Sequence, residues 1–268
     1  MIKIIERTQL SQNSRASIYK IKSPKGTFLL KESSEKHLLS TEAYMLKYLK
    51  KCNLSVPDII KLEKHRLYTK YYENNGQINK NIEENIAISL SSLHSITNEF
   101  YGFEKETTIG PYQQYNKPNI SWLDFFTEQR ILNFAILAFE EGIMPLEYLR
   151  RIERFIVGIR KYLFEPEKPS LLHGDIWKGN IIVSNNKVYF IDPAIYFGHN
   201  EMELAFILMF NTFGQDFFNK YHEINPIEEG FFSERHHIYN LYPYLVHVRS
   251  FGDSYLSGVD KILKKFRY

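Results

Sequence analysis

The chain has 268 residues, 44% of them hydrophobic, with 34 Lys and Arg against 31 Asp and Glu for a formal charge of +3. That length and apolar content supply a sizeable core and exclude a disordered or fibrous chain, and a charge so near balance leaves no electrostatic footprint for a nucleic-acid partner. Cys52 is the single cysteine, which excludes an intrachain disulfide and a thiolate zinc cluster. With no signal-like apolar stretch after Met1 and no run long enough for a membrane span, the expected setting is the reducing cytoplasm, away from membranes.

Residues 1–75 read as a small β-rich lobe. Residues 18–22 and 27–31 form a hairpin across the turn Pro24-Lys25-Gly26, with Lys31 at the end of its second strand. Residues 41–49 follow as a helix, because Ala43, Leu46 and Leu49 fall at helical spacing with Glu42 near the start. Residues 57–60 and 66–72 are short extended pieces, closed by the turn-forming Glu73-Asn74-Asn75-Gly76.

Residues 76–268 read as a larger, mainly helical lobe. Ile82, Ile86, Leu90 and Leu93 share one helical face, and Leu149, Ile152, Phe155, Ile156, Ile159 and Leu163 form a second stripe that Pro166 stops. Between them, residues 107–121 make a structured loop before an aromatic helix starting near Trp122. Ile181-Ile182-Val183, the turn Ser184-Asn185-Asn186-Lys187 and residues 188–191 form a β-hairpin.

The chemistry concentrates in Leu171-Leu172-His173-Gly174-Asp175-Ile176-Trp177-Lys178-Gly179-Asn180, followed by that hairpin and Asp192-Pro193. Asp175 and Asn180 stand five apart, the separation between the acceptor-orienting Asp and the metal-binding Asn of a kinase catalytic loop. The hairpin returns the chain so that Asp192 comes beside Asn180, giving two oxygen ligands that suit Mg²⁺. Asp175 then holds an acceptor hydroxyl in line and takes its proton. Lys31 and Glu42 form a pair of the kind that steadies a lysine against nucleotide phosphates. His173 reads as a hydrogen-bonded scaffold residue, and Trp177 as either a packing residue or a substrate contact.

With these residues in view, the chain resembles the fructosamine kinase (ketosamine-3-kinase) family, itself similar to aminoglycoside and choline phosphotransferases. HGDIWKGN at 173–180 looks like the catalytic loop and IDPAIYFGHNEMELA at 191–205 like the metal-binding segment and following helix. YGF at 101–103, Gln114, Asn116, Trp122 with Phe125-Phe126, and ERHHIYNLYPYLVHV at 234–248 extend the resemblance over nearly the whole chain.

The resemblance implies an α+β, protein-kinase-like bilobal fold that uses ATP and Mg²⁺ to phosphorylate the 3-hydroxyl of a ketosamine, free or as a protein-linked lysine adduct. It implies Asp175 as catalytic base, Lys31 and Glu42 with the nucleotide, and Asn180 and Asp192 as metal ligands, with His199 and Glu203 as supports. Three departures stand out. The glycines usual before the first hairpin are replaced by Leu10-Ser11-Gln12-Asn13-Ser14-Arg15; Lys70 occupies a hinge position where relatives carry an acid; and Pro118 falls where they tend to place a tryptophan near the acceptor. A phosphotransferase for an aminoglycoside, amino alcohol or related metabolite is the competing enzyme reading, and a non-catalytic nucleotide-binding protein the competing binding reading.

Overall fold

The computed structural model describes residues 2–12 and 15–268. Five antiparallel strands come first: β1 (Glu6–Gln12), β2 (Ala16–Ser23), β3 (Gly26–Ser33), then after helix α1 (Lys36–Lys51), β4 (Ile59–Glu63) and β5 (Arg66–Lys70). They form one sheet in the order β1-β2-β3-β5-β4. The expected hairpin is β2–β3, with Lys31 paired to Ile18 on one side and Leu67 on the other. β1 carried no sequence signal because all seven of its residues are exposed, so no apolar alternation marks it. Asn13 and Ser14, in the glycine-poor stretch, lie outside the described residues.

Helix α1 runs further than the expected 41–49 in both directions. Leu39, Ala43, Leu46 and Leu49 make its buried stripe, and Lys50 and Lys51 sit in the last turn, where cations oppose the helix dipole. Leu39 and Ala43 pack on Leu67 of β5, which fixes α1 against the sheet and sets Glu42 opposite Lys31.

Beyond the sheet the chain is mainly helical. The amides of Asn75 and Gly76 donate to the Val183 carbonyl at 3.1 and 2.9 Å, tying the connecting segment to the later part of the chain. Helix α2 (Lys80–His94) is capped by Asn79 and buries the expected stripe of Ile82, Ile86, Leu90 and Leu93. The loop expected over 107–121 contains a small hairpin, β6 (Thr107–Ile109) and β7 (Tyr112–Gln114). The aromatic helix starts as expected: α3 (Trp122–Phe125) continues through a π-helical stretch (Phe126–Leu132) into α4 (Asn133–Glu140), with Trp122 fully buried.

Helix α5 (Leu146–Val157) stops at Gly158, short of the Leu163 that its apolar stripe suggested. Ile159 and Leu163 still reach the core, through a 3₁₀ turn. Strand β8 (Ser170–Leu172) leads into the HGD loop, β9 (Ile181–Ser184) and β10 (Lys187–Phe190) form the expected hairpin, and β11 (Tyr196–Gly198) pairs back onto β8. Asn185 and Asn186 both take positive φ, 50° and 60°, as a tight two-residue hairpin turn requires. Helices α6 (Asn200–Met209), α7 (Gln215–Ile224), α8 (His236–Tyr239), α9 (Leu241–Phe251) and α10 (Leu256–Lys265) complete the chain. Among the described residues, no helix is long and apolar enough to cross a membrane.

Candidate active site

Two short backbone bonds bring the segments of the sequence motif together. The Ala194 amide donates to the His173 carbonyl at 2.8 Å, and the Ile191 amide donates to the Asn180 carbonyl at 3.1 Å. The turn between β8 and Asp175 depends on Gly174, whose φ is +87° and whose α-carbon lies so close to the Ala194 carbonyl that a side chain there would clash. Asp192 also adopts a left-handed conformation, φ 51°, one that Asp tolerates better than most residues.

Lys31 reaches across to this assembly. Its Nζ donates to both Glu42 carboxylate oxygens at 2.9 Å and to Asp192 Oδ1 at 2.7 Å. Burial alone would weaken the ammonium, but Asp192 and Glu42 outweigh it and raise the Lys31 pKa, so the lysine is held as a cation. Asn180 Nδ2 donates to the Asp175 carbonyl at 2.9 Å and to Asp175 Oδ2 at 2.7 Å. Burial pushes the Asp175 carboxyl up to about 7, against the Asn180 amide, which favours the charged form. The structure therefore gathers Lys31, Glu42 and Asp192 in one group and Asp175 with Asn180 in another, the two joined through the Asn180–Ile191 backbone bond.

The HGD loop is braced from below by Glu203 of α6. Its carboxylate accepts from the amides of His173 at 3.2 Å and Gly174 at 2.6 Å, and from His94 Nε2 at 2.9 Å. Behind His94, the Tyr221 hydroxyl accepts from Asn200 and Asn225, each at 3.0 Å, and so donates its own proton to His94 Nδ1 at 2.6 Å. Burial opposes ionisation of Glu203, yet these donors prevail and hold its pKa below the usual value. His199 caps no amide with its side chain; its Nδ1 meets the Tyr239 hydroxyl at 2.7 Å. Glu201, two residues on, makes a buried bidentate pair with Arg235 at 2.7 and 2.5 Å. Neither spacing nor periodicity marks the roles of His94 or Arg235, since each acts through a partner more than thirty residues away.

Asp175 opens onto a cavity of 350 Å³ whose wall includes Gly110, Trp177, Tyr196, Phe210, Tyr242 and His247. Gly179 is what lets the Trp177 indole lie flat there, since any β-carbon at 179 would run into that ring. Several residues that carry the resemblance lie away from this cavity. Gln114 and Asn116 are buried scaffold: Gln114 Nε2 donates to the Ala194 carbonyl at 3.0 Å, and Asn116 accepts from Arg130 at 2.6 Å. Trp122 is core, and Pro118 lines a separate depression with Glu104 and Lys117, so a missing tryptophan at 118 leaves the Asp175 cavity unaltered. Lys70 is exposed at the end of β5, its ammonium 5.2 Å from the ring centre of Tyr72.

The sequence profile of a family described as fructosamine kinase matches residues 1–267. A probable ketoamine kinase of Enterococcus faecium is 34% identical over 190 residues, covering 70% of this chain and 68% of that protein. A protein-ribulosamine 3-kinase of Arabidopsis thaliana is 32% identical, covering 66% of this chain and 55% of that protein. Among solved structures, a protein described as a putative fructosamine-3-kinase from Haemophilus somnus superimposes with a TM-score of 0.89 at 27% identity, covering 100% of this chain and 92% of that one. An ADP-bound aminoglycoside phosphotransferase shares the fold, with a TM-score of 0.68 at 18% identity over 98% and 93% of the two chains.

Proposed function

The chain belongs to the fructosamine kinase family of small-molecule kinases, and from that membership we propose that it transfers the γ-phosphoryl group of ATP to the 3-hydroxyl of a ketosamine. The observation that carries the reading is the convergence of the Lys31–Glu42–Asp192 group and the Asp175–Asn180 pair, from both ends of the sequence, beside one acceptor-sized cavity. We assign residues 1–75 to a nucleotide-binding lobe and 76–268 to a catalytic and substrate-binding lobe, with ATP between them. The free thiol of Cys52 suits the reducing cytosol.

In this mechanism Asp175 accepts a hydrogen bond from the acceptor hydroxyl, aligns it with the γ-phosphorus and takes its proton as the new P–O bond forms. A carboxyl with a pKa near 7 serves well as such a base at neutral pH. Asn180 spends its NH₂ group on Asp175 and so keeps the base in one rotamer. Lys31, fixed by Glu42, meets the α- and β-phosphates.

The donor set fits Mg²⁺. Among the described residues no donor meets the Asn180 side-chain oxygen, and the Asp192 side chain stays 41% exposed beside its Lys31 contact. Among the described residues no three His, Cys, Asp or Glu side chains are grouped to hold a metal, so water and phosphate oxygens complete the shell, as Mg²⁺ prefers. When bound, the ion neutralises charge on the β- and γ-phosphates.

The test is incubation of the purified protein with Mg-ATP and matched free sugars, ketosamines, aminoglycosides and amino alcohols, with NMR location of the new phosphate. A ketosamine 3-phosphate is the expected product. Turnover of another acceptor with none of any ketosamine would move the protein to the competing phosphotransferase reading.

A further inference from the structure

A ketose carries a hydroxyl on almost every carbon, and each needs a hydrogen-bond partner when it leaves water. The cavity beside Asp175 supplies few. Its polar wall residues spend their groups on the protein: the Tyr242 hydroxyl donates to Gln114 at 2.7 Å, Ser250 to the Val246 carbonyl at 2.9 Å, and His247 Nδ1 to the Pro243 carbonyl at 2.7 Å. Glu203 is occupied by His94 and the loop amides. Of the two carboxylates in the wall, that leaves Asp175 to face inward.

Away from Asp175 the wall is a continuous run of rings. Trp177 lies 5.9 Å from Phe210, Phe210 lies 5.3 Å from His247, and His247 lies 5.5 Å from Phe251 and 4.9 Å from Tyr255. Phe206 backs Phe210 at 5.0 Å. The run ends in solvent at Phe251, which is 65% exposed. Among the described residues no Lys or Arg lines the cavity, and burial lowers the His247 pKa, so its ring is neutral at physiological pH.

We propose that this aromatic corridor receives the substituent on the amine of the acceptor, and that it selects ketosamines whose amine bears an uncharged alkyl or aryl chain over those with a carboxylate beside the nitrogen. This rests on the ketosamine reading and names the acceptor class within it. The sugar stays at the Asp175 end, where its 3-hydroxyl meets the base. The amine substituent runs outward along Phe210, His247 and Phe251. A carboxylate in that path would lose water and meet no cation to compensate its charge.

The experiment compares one ketose joined to propylamine, to benzylamine and to glycine, in the wild-type protein and in Phe251→Ala. Phe251 is exposed enough that its loss leaves the fold intact, which circular dichroism would check. Expected are kcat/KM values for the propylamine and benzylamine adducts at least about tenfold above that for the glycine adduct, the effect of one buried charge or ring. Phe251→Ala raises KM for the benzylamine adduct by about tenfold with kcat kept, and alters the glycine adduct little. Equal kcat/KM across the three adducts, or a variant that leaves the benzylamine preference intact, overturns the corridor while the ketosamine activity stands. Failure to phosphorylate any of the three, with another acceptor turned over, overturns the ketosamine reading and the corridor with it.

Discussion

Lys31 Nζ stands 2.7 Å from Asp192 Oδ1, although 161 residues separate the two in sequence. The contact couples the first sheet to the segment after the β9–β10 hairpin, at the point to which we assign the triphosphate. Asp192 is pinned by its left-handed backbone and by the neighbouring Ile191–Asn180 bond, while Lys31 is pinned by Glu42. Each therefore presents its charge at a position set before the nucleotide arrives, which lowers the cost of ordering on binding.

Removing Asp192 separates a metal role from a scaffold role. Asp192→Ala is expected to weaken Mg-ATP binding and to cut turnover by at least about 100-fold, the loss of several kcal/mol of charge stabilisation. Calorimetric titration of nucleotide across a Mg²⁺ series checks it. A folded variant with wild-type turnover and unchanged Mg²⁺ dependence would remove Asp192 from the metal site.

Asp175→Asn keeps the shape of the side chain but cannot take a proton. Turnover should fall by about 10² to 10⁴, the usual contribution of a positioned general base, with nucleotide affinity nearly unchanged. Measuring kcat beside the dissociation constant for Mg-ATP distinguishes this from Asp192→Ala, where both move. Equal losses of nucleotide affinity in the two variants would contradict the division of labour.

Gly174→Ala tests the loop itself. The substitution meets two obstacles at once, a φ of +87° and the Ala194 carbonyl against the new methyl. A cost of about 3 kcal/mol or more is expected, which for a chain of this length lowers Tm by roughly 6 °C or more. Thermal unfolding reads it directly, and a variant as stable as wild type would show that the loop relaxes without its glycine.

Much of this architecture was legible because it is local. The spacing of Asp175 and Asn180, the β9–β10 hairpin and the stripe on α2 each repeat over a few residues, and periodicity or turn chemistry reveals them. β1 escaped because an edge strand with both faces in water has no alternation to read. The run of α5 to Leu163 was overestimated because the apolar spacing continues through Gly158 into a 3₁₀ turn, where the same side chains reach the core by a different path. The corridor of Phe210, His247, Phe251 and Tyr255 gave no signal at all, since aromatic residues at helical spacing look alike whether they fill a core or line a cavity.

Acid sensitivity follows from His199. Its ring is buried, and burial, with the positive Arg235 nearby, pushes its pKa down to about 3. The Tyr239 hydroxyl accepts from Trp122 Nε1 at 3.3 Å and bonds His199 Nδ1 at 2.7 Å, a contact that the neutral imidazole makes. The unfolded chain has an ordinary histidine there, which binds a proton as pH drops below about 6.5, while the folded chain refuses one until about 3. Folding stability is thus complete above pH 6.5 and declines as pH falls through that window, by up to about 1.4 kcal/mol per pH unit for this one group. Carboxylates with ordinary pKa values add their own loss only below about 4.5, and Asp175, whose raised pKa makes the folded chain take up a proton in the interval from pH 6.5 to 5, adds an opposite slope shared by both proteins, so the difference between them isolates His199. His173, whose pKa is pushed down to about 4 by burial, contributes in the same direction. His199→Asn offers Tyr239 an acceptor oxygen that does not titrate, and the slope of stability between pH 6.5 and 5 should be shallower in that variant by about one proton. Urea unfolding at half-unit pH steps measures it, and identical slopes in the two proteins would mean that His199 does not stay neutral in the fold.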